Sequence, residues 1–488
     1  MTMTEFDTVI HGGRVATASE VFDADIGIVD GRIAAISERI AGGSRRIDAT
    51  GKLVMPGGIE AHAHIAQESS AGLMTADDYY SGSVSAAFGG NSSFIPFAAQ
   101  HRGQSIADVI STYDGRAAPN SVLDYSYHLI ISDPSASVLE ELPGVFARGI
   151  TSFKVFMTYD LMNIGDGGML DILTVAKSHG ALTMVHAENN DMVKWMNKRF
   201  AEAGLTAPKY HAVSRPELAE EEAINRAVSL AKLVDAPLFI VHVSTAGGAA
   251  IVQREKLAGT KLFAETCPQY LALTRDDLDR PGTEGAKFIC SPPVRDKATQ
   301  DALWRHVQSG TFESVSSDHA PYRFDASGKF ANGADAPYPK IANGMPGIAM
   351  RLPYLFSEGV AKGRITLSQF VALSSTNAAK TFGMAKKGAI APGFDADIAI
   401  WNPEARRTAT LADQHDNMDY SPFEGMQIEG WPELTMNRGD IIVENGELKG
   451  TRGRGRFVAR KPVDLTGKPG YRAKELDPAQ NFGAEIAP

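Results

Sequence analysis

Two histidines two residues apart, His62 and His64, end the apolar run LVMPGGIEAHAH. Residues i and i+2 of a strand point to the same side, so both imidazoles would project from one face at one level, which is metal-ligand geometry. Taken alone, a His-x-His pair fits two surface or turn histidines as well. Lys154 lies inside another apolar run, TSFKVFM, where a free ammonium is costly to bury. His186 stands near the end of LTMVHAEN, His242 near the end of PLFIVHVS and Asp318 near the end of SVSSDHAP. Each of these singly reads as a satisfied core residue. Five runs that carry a ligand-type residue at the same relative position read as one site.

Such a set needs a frame that brings the run ends together. The five belong to a series of eight short apolar runs, the others being SSFIPF, YSYHLII and KLFAETCP. Helix-like stretches separate them, among them TADDYYSGSVSAAFGG, LDILTVAKSHG and EEEAINRAVSLAKLVD. Strands alternating with helices imply parallel βαβ units, and eight of them imply a (β/α)8 barrel, whose active site lies at the C-terminal ends of its strands. Outside the series, FDTVIHGGRV and DIGIVDGRIAAI at one end and DADIAIW and GDIIVENGELKG at the other read as strands broken by Gly turns. The two chain ends should therefore pair into one small β-sandwich domain, with residues 1–55 and 385–460 as its parts. Residues 56–384 form the barrel and 461–488 a tail that packs on a neighbour or is disordered. The segment from Tyr322 reads as a long loop.

Composition narrows the function without naming it. A balance of 48 basic against 58 acidic residues gives −10, which leaves no global footprint for nucleic acid or an anionic membrane. No stretch of about 18 apolar residues occurs, and the start MTMTEFDTVIHGGRV lacks a basic and then apolar leader. Two cysteines, Cys267 and Cys290, build no disulfide framework and suit a reducing, cytoplasmic compartment.

The motifs VMPGGIEAHAH, FKVFMTY, VHAEN, SRPELAEEEAI, IVHVS, ETCPQYL, SPPVRDK, SDHAPY and STNAAKTFG stand in this order at barrel-unit spacing. With them the chain, from HGGRV to GRFVAR, resembles the amidohydrolase superfamily, and within it the hydantoinase and dihydropyrimidinase family. The resemblance implies a two-metal site: His62, His64 and Asp318 on the more buried ion, His186 and His242 on the other. Lys154, carboxylated by carbon dioxide, would bridge both ions, and the carbamate removes the charge that burial penalises; the alternative is a Lys154 that snorkels to solvent. The ions would be zinc, with manganese, cobalt or iron fitting nearly as well. A hydroxide bridging them would attack the ring amide of a hydantoin, dihydropyrimidine or related cyclic ureide or imide, with Asp318 as general base and then acid. Tyr159 would donate to the oxygen of the reacting carbon, and backbone groups at Ser291 and Asn343 would read the ring edge. Without the family match these three are loop packing, a plain turn and a hairpin turn. His319 would be an outer partner rather than a ligand. A homotetramer is the family's usual assembly.

One loop departs from the family pattern. Relatives usually follow His-x-His with a Leu-x-Met-Pro-Phe type of loop, whereas this chain reads IAQESSAGLM. Gln67, Glu68, Ser69 and Ser70 then either make a more polar pocket for the ring substituent or form a solvated loop that never touches substrate. Ala66 stands where dihydroorotases and allantoinases usually carry an arginine, which argues against an anionic substrate held that way. Non-catalytic scaffolds on this fold have typically lost ligands, and this chain keeps all six. Barrel deaminases commonly use one metal and no carboxylated lysine, so Lys154 in its setting separates this chain from them.

Overall fold

All eight runs become parallel strands. The computed structural model describes residues 6–70 and 72–486; the first five residues, on which part of the leader reading falls, Ala71 of the IAQESSAGLM loop and the last two residues lie outside it. The strands are Gly58–Ala63, Asn91–Ala99, His128–Ile130, Ser152–Phe156, Leu182–His186, Leu238–Ile240, Leu262–Thr266 and Ser314–Val315, each paired with the next in order up to the last. The ring closes where Ala63 bridges His319 in parallel and the His64 amide donates to the His319 carbonyl at 2.8 Å. Closure thus falls beside His62, His64 and Asp318. Every residue of these strands is buried, as parallel strands covered on both faces require.

The helices between them follow local rules. Asp78 accepts from the Tyr80 and Ser81 amides and so caps the helix Tyr79–Phe88. The helix Glu217–Val234 has Glu217 and Glu220 in its first turn and Lys232 in its last, each sign at its favourable end. Its buried Ala223, Ile224, Ala227, Val228 and Ala231 fall at helical spacing and face the barrel. Two helical stretches follow, Arg351–Ala361 and Leu367–Thr381, and in each a part, Phe356–Ala361 and Ala372–Thr376, widens into π-helical turns.

The run LVMPGGIEAHAH holds two strands rather than one. Leu53–Pro56 belongs to a seven-stranded sheet in which it lies between Ile398–Thr408 and Arg14–Ala16, so both chain ends share that sheet. The chain then crosses into the first barrel strand at Gly57 and Gly58. A β-carbon on Gly57 would come within 2.4 Å of Ser92 Oγ, which is why glycine occupies the crossing. A four-stranded sheet of N-terminal strands packs Ile10, Ile26 and Ile28 against Val54, Ile398 and Met436 of the larger sheet, making the sandwich core. The Asp30-Gly31 turn has φ of 50° and 71°, the two left-handed positions of a tight hairpin.

The barrel interior is filled by Ile59, Ile95, Phe97, Met184, Phe239 and Phe263, and Phe382 and Val463 plug its base. Val463 comes from the C-terminal segment, which lies across the barrel's underside. There Arg460, Lys461 and Val463 donate backbone bonds to Gly149, Gly383 and Gly180 at 2.8–3.0 Å, and Gly470 donates to Gly259 at 3.0 Å. Residues 461–471 thus pack on the chain's own barrel, where their amides find acceptors at its base. Among the described residues no helix is long and apolar enough to cross a membrane.

Candidate metal centre

Four side chains from two barrel strands and the closing segment meet at one point. His62 and His64, from the first strand and its end, both turn Nε2 toward Asp318 Oδ1, at 3.0 and 3.1 Å. The Lys154 ammonium, from the fourth strand, lies 2.9 Å from the same His62 Nε2. It is 1% exposed and packed over the Phe97 and Phe156 rings, so it does not snorkel to solvent. His186 and His242 stand next to this group, their rings 4.5 Å apart and the His242 ring 5.4 Å from that of His62. The Tyr159 ring closes the far side, 5.5 Å from that of His186.

What lies behind the histidines shows which way each faces. His62 Nδ1 is in short contact with Glu265 Oε1, His64 Nδ1 is 2.7 Å from Gln67 Oε1, and His186 Nε2 is 2.7 Å from Glu188 Oε2. A neutral imidazole that donates to an outer oxygen presents its other nitrogen as a lone pair toward the inside. That carboxylate- or carbonyl-backed arrangement is how metal-binding histidines are oriented. His242 Nδ1 is buried with no hydrogen-bond partner. A nitrogen and oxygen donor set of this kind, with an orphaned ring nitrogen among it, fits divalent cations of the zinc type.

The electrostatics agree. Burial pushes His64 down to about 4 against the pull of Asp318, and burial likewise lowers His186 and His242, so these rings stay neutral. Burial and the Lys154 charge would lower His62 too, but Glu265 and Asp318 outweigh them and raise it. Burial pushes Lys154 down to about 8, opposed by Asp318 and Glu265. For Asp318, burial alone would raise the carboxyl, yet the facing histidines hold it well below the usual carboxylate range. The backbone is strained at three of these residues: Tyr159, His242 and Asp318 have φ of 66°, 39° and 49°, left-handed values that such side chains seldom adopt.

Ser291 and Asn343 lie on two segments that touch each other: the Gly344 amide donates to the Ile289 carbonyl at 3.0 Å. Ser291 Oγ and Asn343 Oδ1 are both buried without partners. Lys329, fully buried, donates to the carbonyls of Ile289, Ala342 and Gly344 at 2.6–2.9 Å and ties the segments together. His319 accepts from the Gly347 amide at Nδ1 and meets Asp77 at Nε2, 2.9 Å away, so both its nitrogens face away from the group.

Four supporting residues were not singled out from the sequence. Glu188 sits in the quoted VHAEN, and its i+2 spacing from His186 could have marked it. Arg215, in SRPELAEEEAI, grips Glu188 with two bonds of 2.9 and 2.7 Å. Glu265 and Lys329 depend on contacts that only the closed barrel makes. In the departing loop the residues differ in burial, Glu68 and Ser69 being half-buried and Ser70 exposed. Gln67 is 8% exposed and backs His64, while Glu68 and Met74 bridge to form a small hairpin that turns at Ser69.

A family model described as the amidohydrolase family matches residues 53–442. A D-hydantoinase of Ralstonia pickettii is 43% identical over 457 residues, covering 93% of this chain and 99% of the relative. The solved structure of a dihydropyrimidinase from Brevibacillus agri superposes with a TM-score of 0.91 at 42% identity, covering 94% of this chain and 99% of that one. An L-hydantoinase (dihydropyrimidinase) from Arthrobacter aurescens superposes with a TM-score of 0.86 at 29% identity, covering 93% and 100%. The chain belongs to the amidohydrolase family, in its hydantoinase and dihydropyrimidinase branch.

Proposed function

We propose that the protein is a metal-dependent cyclic amidohydrolase that opens the ring amide of a hydantoin, a dihydropyrimidine or a related cyclic ureide or imide. The observation that carries this reading is the convergence of inward-facing imidazoles, Asp318 and a buried Lys154 at one point of the barrel mouth. His62, His64 and Asp318 would hold one divalent cation and His186 and His242 a second, with a carbamate on Lys154 between them. Carboxylation suits a lysine that burial keeps partly as the free amine, the form that adds carbon dioxide. Zinc suits the donor set, and manganese, cobalt or iron would fit.

Bound there, two such cations would acidify a water and polarise the ring carbonyl. Asp318, ionised at neutral pH, takes the proton from the attacking water and delivers it to the departing ring nitrogen. The Tyr159 hydroxyl donates to the carbonyl oxygen as charge builds on it. Backbone groups at Ser291 and Asn343 hold the C(=O)–NH edge of the ring and exclude water from it. Relatives named D-hydantoinase and L-hydantoinase share the fold, so the fold alone does not set enantiopreference. Two free, buried cysteines support a cytoplasmic setting, and the family resemblance supports a homotetramer.

The test combines metal analysis with one variant. Protein purified without chelator should carry about two divalent ions per chain. It should open hydantoin, dihydrouracil or a cyclic imide, read by loss of ring absorbance. Lys154→Ala should lose more than the roughly 10–100-fold that outer partners of a metal site are worth, and recover in part with short carboxylic acids. Fewer than about one ion per chain, or full activity in Lys154→Ala, would sink the two-metal reading.

A further inference from the structure

We propose that Gln67 is a positioning residue for the metal centre: its side-chain carbonyl accepts the His64 Nδ1 hydrogen and so fixes Nε2 as the nitrogen that faces the cation. This rests on the reading of His64 as a ligand. Gln67 Oε1 lies 2.7 Å from His64 Nδ1, and the residue is 8% exposed. Its backbone is held on both sides of a hairpin: the Gln67 amide donates to Thr75 Oγ1 at 3.0 Å, and the Thr75 amide returns to the Gln67 carbonyl at 2.9 Å. The preceding residue is pinned as well, the Ala66 amide on the Asp77 carbonyl and Arg116 on the Ala66 carbonyl. The amide is therefore presented by a built element rather than a free loop.

The consequence is chemical. A neutral imidazole carries one ring hydrogen, so an acceptor at Nδ1 leaves Nε2 with a lone pair. His64 Nε2 and Asp318 Oδ1 are 3.1 Å apart and converge on the point that His62 Nε2 also faces, so a cation there would take the place of a hydrogen shared between them. Without the acceptor, the hydrogen would reside on Nε2 in part of the molecules, and those would have to reorganise before binding a cation. The Leu-x-Met-Pro-Phe loop usual in the family places methionine here, a weak acceptor. The departure at IAQESSAG thus bears on metal retention in this chain through Gln67.

The test follows zinc itself, with no substrate present. Zinc-loaded wild type, Gln67→Met, Gln67→Glu and His64→Ala are titrated with a competing chelator, and retained zinc is counted. Gln67→Met should hold one of its ions about 10–100-fold more weakly, the usual worth of an outer partner. Gln67→Glu, which keeps an acceptor on the same hairpin, should hold zinc at least as tightly as wild type. Wild-type retention in Gln67→Met overturns the assignment. So does equal weakening in the Met and Glu variants, which would point to the hairpin rather than the acceptor. His64→Ala separates the two layers: if it keeps both ions at wild-type affinity, the ligand reading fails and Gln67 falls with it.

Discussion

At the scale of single residues, the charge behind the histidines matters as much as the histidines. Glu188 is fully buried against Arg215 and His186. Burial alone would raise its carboxyl, but the guanidinium and the imidazole hold it well below the ordinary value of 4.5. For an acid lowered by folding, the stabilisation is complete above the unfolded-state pKa and is lost as pH falls through the folded one. Glu188→Gln should therefore be less stable at neutral pH, by about 3–5 kcal/mol if the buried Arg215 is left uncompensated. Its stability should also decline less steeply than wild type below pH 4.5. Denaturant midpoints of metal-free protein from pH 7 to pH 3 check both; parallel curves for the two proteins would refute the linkage. Five of the six ligand-type residues were legible in the sequence because they lie at or near a strand end, and strand ends in a barrel meet; Lys154, in mid-strand, was legible as a charge inside an apolar run. Their backing groups were not, since His62 and Glu265 are 203 residues apart and are joined only by barrel closure.

At the scale of elements, the strands were read directly from short buried runs, whereas two features escaped because tertiary contacts decide them. One is the division of LVMPGGIEAHAH between two sheets, invisible to an apolar pattern that continues across the crossing. The other is the loop from Tyr322, whose Gly, Ala and Asp content gives no hint that Lys329 turns inward. Burial pushes that amine down to about 7, and three carbonyls receive its hydrogens in place of a carboxylate. Lys329→Met would strand the Ala342 and Gly344 carbonyls in the interior, while Ile289 keeps its bond from the Gly344 amide. At about 1–3 kcal/mol for each stranded group, we expect a loss of roughly 2–6 kcal/mol. The segments carrying Ser291 and Asn343 would also drift apart. A raised KM with unchanged metal content would be the kinetic mark of that drift; wild-type melting and KM would show that Lys329 holds nothing.

At the scale of the molecule, the two ends of the barrel have separate duties. The mouth gathers the ionisable residues and the strained backbone, and the base is sealed by apolar groups and by the C-terminal segment. Val463 is 9% exposed and packs with Phe382, Phe239 and Phe263 into the barrel interior. Beyond it, Lys468 Nζ donates to the Leu262 carbonyl and the Tyr471 amide to Asp235, each at 3.0 Å. These partners stand at the N-terminal ends of the strands or in the loops leading into them, away from His62 and Asp318. Barrel folds confine their chemistry to the opposite face, so changes at the base should register as stability alone. A chain ended after Arg460 loses the Val463 plug and the backbone bonds from 461 to 471, yet keeps every residue of the metal centre. It should melt several degrees lower, as a loss of a few kcal/mol implies for a chain of this size, while zinc content and KM stay at the full-length values. Size-exclusion chromatography of the same two proteins reports on assembly. Residues 461–471 are seated on their own barrel, so a tetramer lost on shortening would place a subunit contact in the residues beyond them. A shortened protein that melted normally but lost zinc or bound the ring poorly would show that base and mouth are coupled.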